Sequence, residues 1–327
     1  MRVHIQNHSD DGNPRAVPAQ WQEAVARAGD KSHGLEISFG ETAADFAAVI
    51  GEVEALITSS RVVKTHLQDS DPRRLKLIFL THAGVDSLSQ GRMIPAGVTL
   101  LNNSGAHGVK AAEYALMAVL MLANHMPLFA RQQNEQSWRR KLASSVAGRR
   151  ATIVGLGAIG GVIAQRLKEL GLHVTGVRTR AEPNPFCDDV IATADLDTVL
   201  PDTEFLVLVA PLTPQTMHLL DRRRIGLLNR HAGVINIGRG ELVEQDALLD
   251  ALDRGALAGA VLDVTTPEPV PAGHRLWTTP NLVLTPHMSA GDPLTYIPRS
   301  LDIFLDNIDA FRAGRPPPNA VDLDRGY

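Results

Sequence analysis

The sequence predicts an α/β protein with two doubly wound parallel-sheet domains, Rossmann-like and flavodoxin-like, and a cleft between them. Three observations lead to this fold class. Short apolar runs alternate with helical patterns along almost the whole chain, which is typical of parallel sheets covered by helices on both faces. The 327 residues suffice for two domains of about 150 residues each. A glycine-rich turn that opens a second α/β unit appears only near residue 150.

The apolar runs predict strands in both halves of the chain. In the first third they cover residues 3–5, 35–39, 55–58, 75–80 and 98–101. Further along they cover residues 151–155, 174–177, 205–209, 233–237, 258–262 and 282–284. Helical periodicity predicts helices that include residues 18–28, 42–50, 245–253 and 301–312.

The order of these elements predicts a discontinuous first domain. The helix over residues 301–312 follows the last strand of the second unit, so we expect it to pack on the first one. We therefore assign residues 1–101 plus 288–327 to a flavodoxin-like, substrate-binding domain. Residues 102–287 form the predicted Rossmann domain that binds a dinucleotide.

One predicted helix is apolar around most of its circumference. It covers residues 111–123, and such a helix is expected to be buried on all sides. An interdomain core, a dimer interface, or both together would bury it. We expect both, and therefore a homodimer.

Composition limits the partners and the compartment. Apolar residues make up 44% of the chain and the net charge is −4, so we expect no nucleic acid partner. Cys187 is the single cysteine, which fits a reducing compartment. The N-terminus is too polar for a signal peptide, and the most apolar helix is too short to span a bilayer. We expect a soluble cytoplasmic protein without a membrane partner. No His/Cys cluster has metal-ligand spacing, so no metal site is expected.

The segment from Gly155 to Gly160 has the pattern G-x-G-x-x-G between a predicted strand and a predicted helix. Gly155 permits the tight turn, Gly157 allows the backbone to approach phosphates, and Gly160 allows the helix to pack against the strand. The helix that follows presents free N–H groups and its positive end to an anion. Together with Ala158 and Ile159, these glycines predict a dinucleotide site.

The next predicted strand indicates which dinucleotide is bound. In NAD sites a carboxylate near the end of this strand accepts hydrogen bonds from the adenosine ribose. Here the strand ends in Arg178-Thr179-Arg180, without a carboxylate. Two guanidinium groups suit a 2′-phosphate, to which arginine forms charge-assisted bonds. The alternative is a pair of solvated loop charges. We predict NADP(H) as the preferred cofactor, with NAD(H) as a second one.

Three later strands each end in a residue suited to catalysis. Arg239 lies between two glycines after one strand, Asp263 and Glu268 follow the next, and His287 follows the third. Carboxyl ends of parallel strands are where open α/β sheets bind ligands. These side chains are therefore predicted to converge on one site.

The reduction of a 2-keto acid by hydride transfer needs three such groups. Arg239 suits the role of a cation that grips a carboxylate and polarises a carbonyl. His287 suits the role of an acid, because imidazole titrates near neutral pH. A neighbouring carboxylate, for which Glu268 is the candidate, would fix the histidine tautomer. Taken individually, Glu268 and His287 fit an ordinary turn or surface position better than a catalytic one, but their joint occurrence with Arg239 behind a dinucleotide motif favours a catalytic site.

At these positions the chain resembles the D-isomer-specific 2-hydroxyacid dehydrogenase family over nearly its whole length. The ordered set of matching motifs is far more specific than any one of them. It comprises Gly155-x-Gly157-x-x-Gly160, Pro211-Leu212-Thr213-Pro214-x-Thr216, Asn236-x-Gly238-Arg239-Gly240, Leu262-Asp263-Val264 with Glu268-Pro269, and Thr285-Pro286-His287.

The resemblance implies roles for individual residues. Arg239, Glu268 and His287 are then the catalytic residues. Ala83, Gly84 and Val85, followed by Asp86, match a loop whose backbone N–H groups hold the substrate carboxylate. Further matching positions line the cofactor, namely Pro211, Thr216, Ile237, Asp263 and Ser289. Family members are homodimers built around their nucleotide-binding domains.

Within the family, the chain most resembles the NADPH-preferring glyoxylate/hydroxypyruvate reductase branch. Trp138 falls where that branch often places an aromatic residue near the partner subunit's active site. The ending Val321-Asp322-x-x-Arg325-Gly326-Tyr327 is similar to some bacterial members. The chain departs from many relatives at Thr265, where they carry an aromatic residue, and at His107, where they carry Asn. Related formate dehydrogenases carry Gln where this chain has Glu268, so formate oxidation is not expected.

The predicted activity is the reduction of a small 2-keto acid, of the glyoxylate or hydroxypyruvate type, to the D-2-hydroxy acid. D-lactate-type and phosphoglycerate-type dehydrogenases are alternatives, and the apparent lack of an added regulatory domain weighs against the second. A dinucleotide-sensing protein like the transcriptional corepressors built on this fold is a non-enzymatic alternative. Such proteins carry extensions that this sequence is not expected to contain.

Overall fold

The fold is described from a computed structural model that covers residues 1–8, 15–85, 88 and 93–323. The strands are β1 Arg2–Gln6, β2 Glu36–Gly40, β3 Ala55–Thr58, β4 Leu77–Leu80, β5 Thr99–Leu101, β6 Arg150–Val154, β7 His173–Arg178, β8 Asp189–Ala192, β9 Phe205–Leu208, β10 Gly233–Asn236, β11 Gly259–Leu262 and β12 Leu282–Leu284. The α-helices are α1 Pro18–Ala28, α2 Ala43–Val49, α3 Ser60–Val62, α4 Gly108–Ala123, α5 Met126–Asn134, α6 Ala158–Glu169, α7 Arg222–Ile225, α8 Gln245–Asp253 and α9 Tyr296–Arg312.

The chain divides into two compact units, Met1–Ala106 with Asp292–Tyr327, and His107–Gly291. The divisions fall a few residues after the predicted boundaries at 101 and 287. The last helix, α9, belongs to the first unit, where its apolar face packs with β1, β3 and β4. Assigning substrate binding to one unit and dinucleotide binding to the other is taken up under Proposed function.

The first unit contains a parallel sheet in the order β2-β1-β3-β4-β5. This is the order of flavodoxin-like sheets. One face of the sheet packs on α1 and α9, with Phe304 in edge contact with Phe79. The other face packs on α2, α3 and the π turn Val63–Leu67. β3 and β4 are buried along their whole length, as expected for central strands of a doubly wound sheet.

The second unit contains a parallel sheet in the order β12-β11-β10-β9-β6-β7-β8. Numbered from β6, this is the Rossmann order extended by one further strand. α4 and α6 cover one face, and α8 covers the other. The predicted fold class, two doubly wound parallel-sheet domains, is therefore confirmed.

Among the elements of the second unit that were not predicted from the sequence are the strand β8 and the helix α5. β8 is a short edge strand that begins with Asp189 and is only half-buried, so it lacks a continuous apolar run. α5 carries no fully buried residue. Two residues, Asn124 and His125, separate it from the end of α4. Its weak apolar face explains why periodicity did not separate it from a loop.

The chain by itself does not bury the helix over residues 111–123 on all sides, and its complete burial with the help of a second copy stays a prediction. α4 buries most of its residues against the sheet, but Met117 and Leu120 are exposed. No single described helix is long and apolar enough to cross a membrane. α4 and α5, bent by 66° at their junction, meet that length and composition only as a pair.

Candidate active site

The carboxyl ends of six neighbouring strands in the second unit lie in one hydrogen-bonded row. Their registers join Val177, Val154, Leu208, Asn236, Leu262 and Leu284 in that order across the sheet. Nearly every residue of this unit that the sequence analysis selected follows a member of the row. Because open α/β sheets bind ligands beyond the carboxyl ends of their strands, this edge is the candidate active site.

The glycine-rich turn begins directly after β6. Gly155 has a φ of +106°, which L side chains rarely adopt, and a Cβ there would lie 2.6 Å from the backbone nitrogen of Ala210. A Cβ on Gly160 would collide with the carbonyl oxygen of Gly155. The turn can therefore form only with glycine at these two positions.

The N-terminus of α6 is open beyond this turn. Gly157 is its N-cap and makes no side-chain cap bond, while no atom lies within 4 Å of a Cβ built there. Gly157 and Ala158 are exposed, whereas Ile159 is half-buried in the apolar cluster beneath. A helix start with free N–H groups and no covering side chain fits a pyrophosphate.

Arg178 lies beside the glycine turn. It follows Val177, whose carbonyl accepts a hydrogen bond of 2.8 Å from the backbone N–H of Gly155. Nη2 of Arg178 lies 3.2 Å from Oε2 of Glu182. This carboxylate was not selected from the sequence, because it lies beyond the end of the strand. Thr179 and Arg180 are exposed. The two arginines thus stand at the place where an adenosine ribose is bound in this fold.

The segment after β9 is held by Thr216. Its hydroxyl donates to the carbonyl of Pro211 at 2.7 Å and accepts from the backbone N–H of Thr213 at 2.8 Å. These bonds close a compact turn above the middle of the row. Pro211 is exposed and Thr216 is half-buried, so this turn can form one wall of the site.

Arg239 follows β10 in a turn fixed by Asn236. The fully buried Asn236 side chain accepts from the N–H of Gly238 at 3.1 Å and donates to the carbonyl of Arg239 at 2.8 Å. Nη1 of Arg239 donates to the carbonyl of Gly238 at 2.7 Å. Ile237, which lies between Asn236 and Gly238 in the sequence, is buried. Arg239 is half-buried, and partial burial strengthens the interaction of a charge with an anion.

The Asp263 carboxylate is buried and organises the loop that carries the histidine. It accepts hydrogen bonds from the backbone N–H groups of Met288 and Ser289 at 2.9 Å each, and from the Thr285 hydroxyl at 2.5 Å. Ser289 is itself buried. Asp263 therefore holds this loop through the hydroxyl of Thr285 and the backbone of Met288 and Ser289.

Tyr114 on α4 extends this network and was not selected from the sequence. Its hydroxyl lies 2.6 Å from Oγ1 of Thr285. Since the only Thr285 proton is donated to Asp263, Tyr114 is the donor of that bond. Burial raises the pKa of the Tyr114 hydroxyl, and the Asp263 charge adds to this effect, so it stays a proton donor at neutral pH. An isolated tyrosine within an apolar helix is the sequence signal that points to such a buried bond.

His287 and Glu268 form a pair above this network. Nδ1 of His287 lies 3.2 Å from the Glu268 carboxylate, and both side chains are about half exposed. The histidine backbone has a φ of +50°, a strained conformation for a non-glycine residue. Its N–H donates to the carbonyl of Asp263 at 2.9 Å. Imidazole and carboxylate from different strands are thus brought together as the motifs predict.

The Glu268 loop is anchored by Gln245 at the start of α8. The Gln245 side chain accepts from the N–H of Thr266 at 2.9 Å and donates to its carbonyl at 2.5 Å. The hydroxyl of Thr265 donates to the carbonyl of Pro267 at 3.0 Å. Thr265, where many relatives carry an aromatic residue, is buried, and its hydrogen bond to Pro267 stabilises this loop.

His107, the second departure from the family pattern, also supports this loop. It is buried, and its Nδ1 lies 3.2 Å from the carbonyl of Ala290. Burial lowers the pKa of the imidazole. His107 therefore contacts the chain just beyond His287 and Ser289.

The remaining predicted residues do not follow a strand of this row. Trp138 is fully exposed on an extended segment after α5. In the first unit, the carbonyl of Ala83 accepts a hydrogen bond from the side chain of Asn102 at 3.1 Å. The carbonyl of Gly84 lies 2.8 Å from Nδ1 of His82. Val85 is buried. Asp86 and the ending Arg325-Gly326-Tyr327 lie outside the described residues.

A family model described as "D-isomer specific 2-hydroxyacid dehydrogenase, NAD binding domain" matches residues 116–289. The chain is 34% identical over 264 residues to a glyoxylate/hydroxypyruvate reductase A of Yersinia enterocolitica, covering 77% of this chain and 82% of that protein. This chain belongs to the D-isomer-specific 2-hydroxyacid dehydrogenase family. The prediction of the family and of an NAD(P)-dependent oxidoreductase is confirmed.

Solved structures of the family share the whole fold. A D-isomer-specific 2-hydroxyacid dehydrogenase from Xanthobacter autotrophicus, in complex with NADPH and MES, is 28% identical with a TM-score of 0.81, covering 99% of both chains. An NADPH-dependent glyoxylate/hydroxypyruvate reductase from Sinorhizobium meliloti, in complex with NADP and sulfate, is 25% identical with a TM-score of 0.78 and full coverage of both chains. Within the family, these similarities favour the glyoxylate/hydroxypyruvate reductase branch.

Proposed function

We propose that this protein reduces small 2-keto acids, of the glyoxylate or hydroxypyruvate type, to D-2-hydroxy acids with NADPH. The observation that carries the proposal is the row of strand ends, which presents the glycine turn, Arg239 and the His287–Glu268 pair at one sheet edge. The reductase and the NADP(H) complexes among its relatives support the substrate class and the cofactor.

The residues of the second unit fit a dinucleotide. The turn from Gly155 to Gly160 and the open start of α6 would hold the pyrophosphate. Arg178, Thr179 and Arg180 would hold a 2′-phosphate, because guanidinium groups bind phosphate with charge-assisted bonds. Positions proposed to line the rest of the cofactor are Pro211, Thr216, Ile237, Asp263 and Ser289. A bound nicotinamide supplies the hydride that reduces the substrate.

The chain itself supplies a cation, a proton and an orienting carboxylate. Arg239 would bind the substrate carboxylate and polarise the neighbouring carbonyl in a site where water screens it less. Glu268 accepts from Nδ1–H of His287, which leaves Nε2 as the atom that gives its proton to the carbonyl oxygen. The backbone of Ala83, Gly84 and Val85 is proposed to hold the substrate carboxylate as well. NAD(H) remains a proposed second cofactor.

The test is an absorbance assay that follows NADPH oxidation with a panel of 2-keto acids. We expect turnover with glyoxylate or hydroxypyruvate, and loss of most turnover in His287→Ala and Arg239→Ala with nucleotide binding retained. His231→Ala is the matched control, because His231 is exposed at the other end of the sheet, before β10. Binding of NADPH without oxidation by any keto acid would support the corepressor-like alternative instead. Turnover only with pyruvate or a phosphorylated acid would support the other dehydrogenase alternatives.

We propose further that the protein is a homodimer, with a second copy covering α4 and α5. The apolar side chains Met117, Leu120 and Met126 are exposed there. Trp138 lies in the segment that follows and lines a groove of about 830 Å³ with Phe129. Large exposed apolar patches mark association sites. Sedimentation should give a dimer, and Leu120→Asp should shift it to monomer; a monomeric wild-type chain would refute the assignment.

A cytoplasmic location is also a proposal. It is supported by a single cysteine, half-buried and without a disulfide, which suits a reducing compartment. Fractionation of cells that express the chain would test it, and recovery from a secreted fraction would contradict it.

A further inference from the structure

Glu182 forms an ion pair with Arg178, whose guanidinium is assigned to the 2′-phosphate under Proposed function. Nη2 of Arg178 lies 3.2 Å from Oε2 of Glu182, and the two side chains are 37% and 59% exposed. The backbone N–H of Glu182 donates to the carbonyl of Arg180 at 2.8 Å. This tight turn brings the carboxylate back toward the end of β7. A carboxylate of the chain therefore already neutralises Arg178.

The ion pair is weak enough for a ligand to displace it. Exposed pairs of this kind contribute about 0–1 kcal/mol. Arg180 is exposed, and no carboxylate in the described part of the chain forms an ion pair with it. A phosphate dianion could bind both arginines, whereas Glu182 pairs with one. Displacement would nevertheless leave the Glu182 charge close to the phosphate.

We propose that Glu182 sets the selectivity between NADPH and NADH, an inference that rests on the proposed function. By competing for Arg178 it weakens the binding of a 2′-phosphate. In the absence of that phosphate its carboxylate can accept hydrogen bonds from ribose hydroxyls, the role that an acid has in NAD sites. Glu182 thereby admits NADH to a site whose arginines alone would favour NADPH.

The experiment measures binding of each nucleotide by titration calorimetry without a keto acid. Glu182→Gln keeps the size of the side chain and removes its charge. We expect the Kd for NADPH to fall about two- to fivefold, the equivalent of a weak exposed pair, and the Kd for NADH to stay or rise. Glu169→Gln is the matched control, since Glu169 is an exposed carboxylate of α6 paired with Arg166 at 2.9 Å. It should change neither Kd.

Adding Glu182→Gln to the Arg178→Ala variant separates competition for Arg178 from a general effect of the Glu182 charge. Without the guanidinium there is nothing to compete for and only repulsion between the Glu182 charge and the phosphate remains, so Glu182→Gln should change the Kd for NADPH less than it does in the wild-type background. An effect of full size in the Arg178→Ala background would overturn the competition. An equal effect on both nucleotides, or an unchanged Kd for NADPH in Glu182→Gln, would overturn the selectivity role. Wild-type protein that binds neither nucleotide would overturn the proposed function and this inference with it.

Discussion

The Asp263 carboxylate accepts a hydrogen bond from the Thr285 hydroxyl at 2.5 Å, which ties the end of β11 to the end of β12. Its remaining bonds go to the backbone of Met288 and Ser289, on the far side of His287. The imidazole is thus mounted on a loop whose two ends are held by one buried anion. Such a loop places the histidine without depending on contacts of the exposed ring itself.

Tyr114→Phe should destabilise the second unit modestly. The substitution removes the donor to Thr285 Oγ1 and leaves the ring in place, so we expect a loss of about 1 kcal/mol in the free energy of unfolding. Thr285→Val should cost more, because Asp263 then loses a donor and Tyr114 its acceptor. Urea unfolding of both variants checks this. If both unfold at the wild-type urea concentration, the network contributes no stability.

Gly160→Ala should disrupt the turn, whereas Gly161→Ala should not. A Cβ at position 160 would meet the carbonyl of Gly155, but nothing lies within 4 Å of a Cβ at position 161. In the same helix, Ala in place of Gly161 should add about 0.5–1 kcal/mol of stability. Thermal unfolding and NADPH titration of the two variants test the pair. Equal behaviour would show that the turn tolerates the added methyl group.

The fold was predictable because the second sheet is built from buried strands. Segments such as Ile153 and Val154, or Val234 and Ile235, are fully buried and leave an unmistakable apolar run before a glycine turn. β8 and α5 escaped because they lie at an edge or on the surface, where burial imposes no pattern. The surface that covers α4 could not be identified for a related reason: apolar side chains such as Met117 do not reveal which surface covers them.

The candidate site could be predicted at positions where the residue type and its neighbours allow few chemical roles. A left-handed turn at Gly155, an arginine between glycines and a Pro-His at a strand end each restrict the chemistry. Gln245 and Glu182 could not be selected, because their roles depend on a partner distant in sequence or on a loop turn. Tyr114, isolated within an apolar helix, indicates a buried hydrogen bond, but the sequence does not identify its partner. The hydrogen bond between Gln245 and Thr266 joins a helix start to a loop that periodicity does not relate.

Arg178→Ala should weaken NADPH binding much more than NADH binding. Arg178 follows Val177, whose carbonyl is hydrogen-bonded to Gly155 of the glycine turn. A charge-assisted bond to phosphate contributes about 1.5–3 kcal/mol, so its loss corresponds to roughly a tenfold or greater rise in Kd. Arg166→Ala, on the exposed face of α6, controls for the lost charge. Equal losses for both nucleotides would refute the phosphate assignment.

Cys187 should react slowly with thiol reagents in the folded protein. Burial raises the pKa of its thiol to about 11, and the neighbouring Asp188 adds to the shift. The thiolate, which is the reactive form, is therefore scarce at pH 8. Alkylation by iodoacetamide, followed by mass spectrometry, should be far slower for native than for urea-unfolded protein. Equal rates would show that the thiol is exposed in solution.

His4 should make the first unit less stable in mild acid. Its ring is buried in β1, with Nδ1 2.8 Å from Oγ of Ser38 and Nε2 3.0 Å from Oε1 of Gln6. Burial lowers the pKa of the folded imidazole, although the bond to Gln6 and the charge of Asp45 act in the opposite direction. The folded ring therefore takes up its proton at lower pH than the unfolded one.

The sign of the effect follows from this difference. The stability associated with the neutral ring is complete above the unfolded pKa of about 6.5 and declines as the pH falls through it, until the folded ring is protonated too. The decline amounts to at most about 1.4 kcal/mol per pH unit for one proton. Urea unfolding at pH 7 and pH 5 should show a smaller loss of stability for His4→Gln than for the wild type. The same loss in both would mean that other groups, such as His107 with its similarly lowered pKa, carry the acid sensitivity.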